Sequence, residues 1–110
     1  MPTLKPKGVC DFCPGACNAD MRGAKAYDCM DFRMSSGFMS EGAWAACPAC
    51  AALVDAAQWG PLIDRMTEGQ VERFVSMGFR RTIVNLMSPQ MREACLHNVE
   101  GFRRYRAVPQ

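Results

Sequence analysis

A single histidine, His97, is all the imidazole in this chain of 110 residues. That scarcity excludes a metal centre built from several histidines. Ser/His/Asp catalysis would have that one position to use, and no Ser stands in a nucleophile-elbow pattern. Glycine offers no phosphate cradle, because Gly69 and Gly78 stand alone without a Gly-Lys-Ser/Thr run. Any apolar run of about 15 to 20 residues is missing too, so neither a membrane span nor a signal peptide is expected. No one sign of charge dominates. Thirteen Lys and Arg face eleven Asp and Glu, a net +2 that falls short of a strongly basic nucleic-acid-binding domain. These absences favour a protein that is not an enzyme.

Cysteine, by contrast, is plentiful, with seven in the chain. With no secretion signal expected, the setting should be reducing and cytoplasmic, where paired cysteines serve metals more often than disulfides. The odd count also leaves at least one thiol outside any intramolecular disulfide set. Four of the seven form two Cys-x2-Cys pairs, Cys10-Asp11-Phe12-Cys13 and Cys47-Pro48-Ala49-Cys50. Each pair spaces two sulfurs so that both can reach one tetrahedral ion, and two pairs supply the four thiolates of a closed structural site for a single Zn2+. A closed site leaves no coordination position for water or substrate, which argues for a structural metal. Cys17 and Cys29 offer alternatives: either could replace a ligand, or both could join Cys10 and Cys13 in a separate site. Cys47 and Cys50 would then need Cys95 and His97. The single site of Cys10, Cys13, Cys47 and Cys50 is the preferred reading.

Residues 1–9 are polar and Pro-rich and are expected to form a flexible leader. Residues 10–58 are expected to form the metal-binding module. Within it, residues 26–34 alternate loosely between apolar and polar, as a half-buried strand does. Ser35-Ser36-Gly37 turns the chain, and Phe38-Met39 with Ala43-Trp44-Ala45 returns it as a short hairpin. Cys47 then caps a helix with Pro48 at its first position, and alanines carry it to residue 57. At that helix start the unpaired N–H groups favour thiolates. Trp44 and Leu53 stand three residues either side of the pair, where they could wall it from water. Pro14-Gly15 suits a tight turn after the first pair.

Residues 59–110 read as a helical extension packed on that module within one compact domain. Gly60-Pro61 interrupts, and Pro61 can open a short helix to about Met66. Thr67 with Gln70 resembles a capping box for a third helix that ends at Gly78. Residues 79–87 read as helix although Thr82-Ile83-Val84 favours strand. Ser88-Pro89 marks a capped start, and Met91, Cys95, Val99 and Phe102 draw one apolar stripe over roughly 15 residues. The sum is a small α+β protein, a hairpin-plus-helix module followed by three or four helices. Nine Met residues read mainly as core filler.

A loop pair, a hairpin and a second pair at a helix start together resemble a treble-clef or zinc-ribbon-like zinc finger, over residues 10 to about 58. The sequence is also similar to small bacterial and phage proteins of unassigned role that carry Cys-Asp-Phe-Cys and Trp-x2-Cys-x2-Cys-x2-Leu. The resemblance implies zinc ligation by Cys10, Cys13, Cys47 and Cys50, and implies no activity.

Charge is unevenly spread. Residues 1–79 hold seven basic against nine acidic side chains, whereas residues 80–110 hold six Arg against two Glu. Arg80, Arg81, Arg103, Arg104 and Arg106 are therefore candidate contacts to an acidic partner or to nucleic acid. Arg and Tyr are equally at home in protein interfaces. The expected function is a zinc-stabilised binding module, an accessory or regulatory protein contacting a larger protein assembly. A nucleic-acid-binding zinc finger is the second reading. A thiol-disulfide oxidoreductase, suggested by Trp44 beside Cys47-Pro48-Ala49-Cys50, is the third.

Overall fold

The computed structural model describes residues 10–13, 21–40 and 42–106. The expected leader at residues 1–9, the turn at Pro14-Gly15 and Cys17 lie outside them. The described elements are four short strands, β1 (Lys25–Tyr27), β2 (Phe32–Arg33), β3 (Met39–Ser40) and β4 (Trp44–Ala46), and four helices, α1 (Pro48–Asp55), α2 (Trp59–Ser76), α3 (Arg81–Leu86) and α4 (Ser88–Tyr105). The chain is a small α+β protein.

The strand expected over residues 26–34 is broken in two. β1 pairs antiparallel with β4, Lys25 opposite Ala46 and Tyr27 opposite Trp44, and β2 pairs antiparallel with β3, Phe32 opposite Ser40. Between them the register slips by one residue, the mark of a bulge. The cause is a tertiary attachment. Cys29 leaves the hairpin to bridge Arg106 at the end of α4, and the Met30 N–H donates to the Tyr105 carbonyl at 2.9 Å. Across the gap, Asp31 accepts the Gly42 N–H at 3.0 Å, with Gly42 at φ +75°.

α1 starts as the sequence indicates, with Cys47 extended at its N-cap and Pro48 next. It stops at Ala56, and Ala57 takes the left-handed conformation at φ 54°. The break therefore falls at residues 56–58, ahead of the interruption expected at Gly60-Pro61. α2 runs unbroken through Thr67, because Pro61 lies in the first turn, where its missing N–H costs nothing. Thr67 is no cap: its hydroxyl donates to the Ile63 carbonyl at 2.8 Å, one turn back. Gly78 at φ +102° ends that helix as expected. Ser88 likewise sits inside α4 and donates to the Asn85 carbonyl, leaving Met87 at the cap position. The stripe on α4 is real, with Cys95, Val99 and Phe102 buried and Met91 half-buried.

Aromatic rings join the two halves. Phe12, from the first cysteine pair, packs at 4.9 Å on Trp44 and edge-on at 5.1 Å on Phe102. Phe32 lies stacked between Trp44 and Tyr105, at 5.9 and 5.7 Å. It reaches that slot across Gly101, where α4 has no side chain in the way. Methionine contributes less to this core than its abundance suggests. Among the described methionines Met66 alone is fully buried, while Met30, Met39, Met77 and Met87 are exposed.

Candidate metal centre

Each residue of Cys10-Asp11-Phe12-Cys13 has a separate task. Phe12 is 1 % exposed and anchors the loop in the aromatic core. Asp11 ties it to β4 twice: its N–H donates to the Ala45 carbonyl at 2.8 Å, and its carboxylate accepts the Ala45 N–H at 2.7 Å. The two flanking cysteines are thereby held against the turn between β4 and α1, where Cys47 and Cys50 wait.

All four sulfurs lie within 4.8 Å of one another, and all four residues are buried. Cys13 Sγ is 3.7 Å from Cys10 Sγ, 3.7 Å from Cys47 Sγ and 3.1 Å from Cys50 Sγ. Four thiolates bound at about 2.3 Å to one zinc stand about 3.8 Å apart along the tetrahedron's edges. The set therefore has the dimensions of an all-cysteine tetrahedral site. Among the described residues it is the one group of three or more His, Cys, Asp or Glu side chains so placed. Cys13 is disulfide-bonded, whereas Cys10, Cys29, Cys47, Cys50 and Cys95 are free thiols. Four-thiolate ligation thus requires Cys13 in its reduced form.

The surroundings favour a sulfur anion at Cys10. The N–H groups of Cys13 and Cys47 both donate to Cys10 Sγ at 3.4 Å. The Cys10 thiol is pulled down to about 5, first by a hydrogen bond from Cys50 and then, against the effect of burial, by those backbone groups. Cys50 is pushed up for the converse reason, since it shares its proton with Cys10 and is buried. Arg65 on α2 brings a cation to the set, its Nη2 3.9 Å from Cys47 Sγ. Burial works against the charged guanidinium, but hydrogen bonds to Cys50 and Cys47 outweigh it and raise Arg65. Four thiolates around a divalent ion carry a net charge of −2, and Arg65 offsets part of it.

Sequence reasoning missed Arg65, Asp11 and Phe12. The acidic and aromatic residues between the cysteines were a usable signal. Arg65 follows from how α2 crosses α1, and nothing in its neighbouring residues announces it.

The remaining candidates lie elsewhere. Cys95 and Cys29 are buried, and burial raises both thiols. His97 is exposed, with Nε2 3.3 Å from the Arg33 carbonyl. Cys29 is outside the sulfur cluster found among the described residues. The described strands pair only antiparallel, which is not the βαβ frame on which Cys-x2-Cys redox catalysis is built. Of the five arginines, Arg81 grips Glu72 with Nη1 and Nη2 at 2.7 and 3.1 Å. Arg103 lies 4.8 Å over the Trp59 ring, and Arg106 covers Tyr27 and Phe102 at 5.5 and 5.4 Å. Arg104 lines a cleft of about 330 Å³ with Asp31, His97 and Glu100, and Arg80 is exposed beside α3.

No family profile, curated protein or solved structure matches the chain. Among the described residues, no helix is long and apolar enough to cross a membrane.

Proposed function

We propose that this chain is a non-enzymatic binding module whose fold is fixed by one Zn2+ held by Cys10, Cys13, Cys47 and Cys50, and that it acts as an accessory or regulatory protein on a larger protein assembly in the cytoplasm. The observation that carries the reading is the buried set of four sulfurs at tetrahedral spacing. With all four positions filled by protein, the metal has none left for a substrate, and its contribution is to structure. A loop pair, a broken hairpin and a pair opening α1 are the parts of a treble-clef-like zinc finger, in the order such a finger needs them. Zinc fits better than a harder ion because all four donors are soft sulfur.

A protein partner is preferred over nucleic acid because Arg81, Arg103 and Arg106 are engaged within the molecule, by Glu72, Trp59 and the Tyr27–Phe102 pair. Those contacts compete with any use of the same three arginines on a phosphate backbone.

The test is metal titration of the reduced chain, with Co2+ as an optical substitute for Zn2+. One equivalent should bind, give the absorption of tetrahedral thiolate coordination and raise the melting temperature. Failure of the reduced chain to bind either ion would overturn the reading. So would binding without any gain in stability.

A further inference from the structure

The corner between α2 and α4 carries five of the ten large apolar side chains exposed among the described residues. Met77, Phe79, Ile83, Leu86 and Met87 are all exposed within eleven consecutive residues, Leu86 at 78 % and Met77 at 63 %. Such grouping differs from the single apolar residues that any surface carries. The local structure accounts for it. Phe79 packs edge-on against Phe74 at 5.6 Å, and α3 is pinned inward by Val84, which is 2 % exposed. Ile83 and Leu86 stand three positions apart and share a side of the short helix, and Met87 follows at its C-cap. Two of the five are Met, whose unbranched thioether side chain adapts to a partner's shape.

Charge selects the occupant. Residues 73–87 contain Arg73, Arg80 and Arg81 and no Asp or Glu. Glu72, the nearest acid in sequence, is held by Arg81; Glu68 and Asp64 line a cleft with Asn85 and Ser88, and Asp64 is held by Arg92. A second copy of this chain laid on the same face would set arginines against arginines. An acidic chain would not.

We propose that the face formed by Met77, Phe79, Ile83, Leu86 and Met87, rimmed by Arg73 and Arg80, docks an acidic amphipathic helical segment of a partner protein. This deepens the binding-module reading and rests on it. The partner's apolar stripe covers the five side chains while its flanking carboxylates meet the two arginines. α2 rises about 1.5 Å per residue, so Met77 lies about 18 Å along the helix from Arg65. The metal would thus hold the far end of a lever whose near end does the binding.

The experiment uses the full zinc-loaded chain, 15N-labelled, and two synthetic helical peptides with the same Leu stripe. One carries Glu on its remaining positions and the other Lys. Shifts confined to residues 73–87 with the Glu peptide, and none with the Lys peptide, are expected. Leu86→Asp should weaken binding by about tenfold or more, and Leu96→Asp on α4 should leave it unchanged. Binding should also weaken as salt rises, because the arginine rim is exposed. Equal binding of both peptides, binding of neither, or shifts elsewhere would overturn the proposal. So would sedimentation showing a dimer that Leu86→Asp dissolves, which would make a second copy the occupant. Leu86 is exposed, and zinc content and melting temperature of each variant show whether it is folded. Normal zinc loading without peptide binding defeats this proposal alone, whereas peptide binding by a chain that takes up no zinc defeats the metal reading alone.

Discussion

Replacing Gly101 by Ala sets two opposing effects against each other, and the structure decides the sign. On a helix surface Ala is better than Gly by about 1 kcal/mol, so propensity alone predicts a more stable protein. At this position, however, the new Cβ would meet the Phe32 ring at 2.3, 2.5 and 3.0 Å, whereas ordinary contact begins at 3.4 Å. The ring must retreat by roughly 1 Å, and it has no room, since Trp44 and Tyr105 stack on either side of it. Forcing an extra carbon into such a place costs about 1–3 kcal/mol. Loosening one stacked pair adds about 0.5–1.5 kcal/mol. Set against the helix gain, the net is a loss of roughly 0.5–3.5 kcal/mol. For a chain of this size that lowers the melting temperature by about 2–14 °C. Differential scanning calorimetry on the zinc-loaded protein measures it directly. Gly60→Ala is the control, because nothing lies within 4 Å of the Cβ there, and it should be neutral or slightly stabilising. A Gly101→Ala melting temperature equal to or above that of the parent would refute the packing argument and with it the description of how hairpin and α4 meet.

Cys50→Ser removes one of four thiolates from a fully buried position. Structural zinc contributes on the order of 10 kcal/mol to such modules, comparable with the whole stability of a domain. The variant should lose stoichiometric zinc and unfold over residues 10–58, and elemental analysis with hydrogen exchange would expose the error if it does neither. Cys95→Ala, outside the cluster, should leave metal content unchanged. Arg65→Met keeps an unbranched apolar stem but removes the guanidinium and its charge, and should weaken zinc binding by about 10- to 100-fold in chelator competition; unaltered affinity would show that the guanidinium is a bystander. The Asp55 carboxyl is held below its ordinary value first by Lys25 and then by Tyr27. Its contribution is therefore complete above the ordinary carboxylate value of 3.8 and is lost as the pH falls through the lower, folded value. The stability gap between the parent and Asp55→Asn should accordingly shrink on acidification, and a gap that widens would contradict the assignment.

How much of this was written in the sequence depends on whether a feature is local. The two cysteine pairs carry their own spacing, and their convergence needed only a hairpin between them. Pro48 behind Cys47, Gly78 after α2 and the stripe on α4 are likewise read from neighbours in the chain. Where tertiary contacts intervene, local reading failed. Residues 28–31 had the look of continuing strand, but attachment to the end of α4 pulled them out of it. Thr67 with Gln70 imitates a cap, yet packing of Leu62, Ile63 and Met66 beneath α2 carries the helix straight through. Methionine count gave no hint of placement, and the exposed side chains at 77 and 87 reversed the expectation drawn from it.

The stitch between Cys29 and Arg106 gives the fold a lock at the place where its earliest strands and its final turn meet. A peptide ending near residue 100 would keep every cysteine and still surrender Phe102, Tyr105 and the bridging backbone. Shortened versions of this protein should therefore fail by a different route from demetallated ones, with sulfur chemistry intact and the aromatic nest open to water.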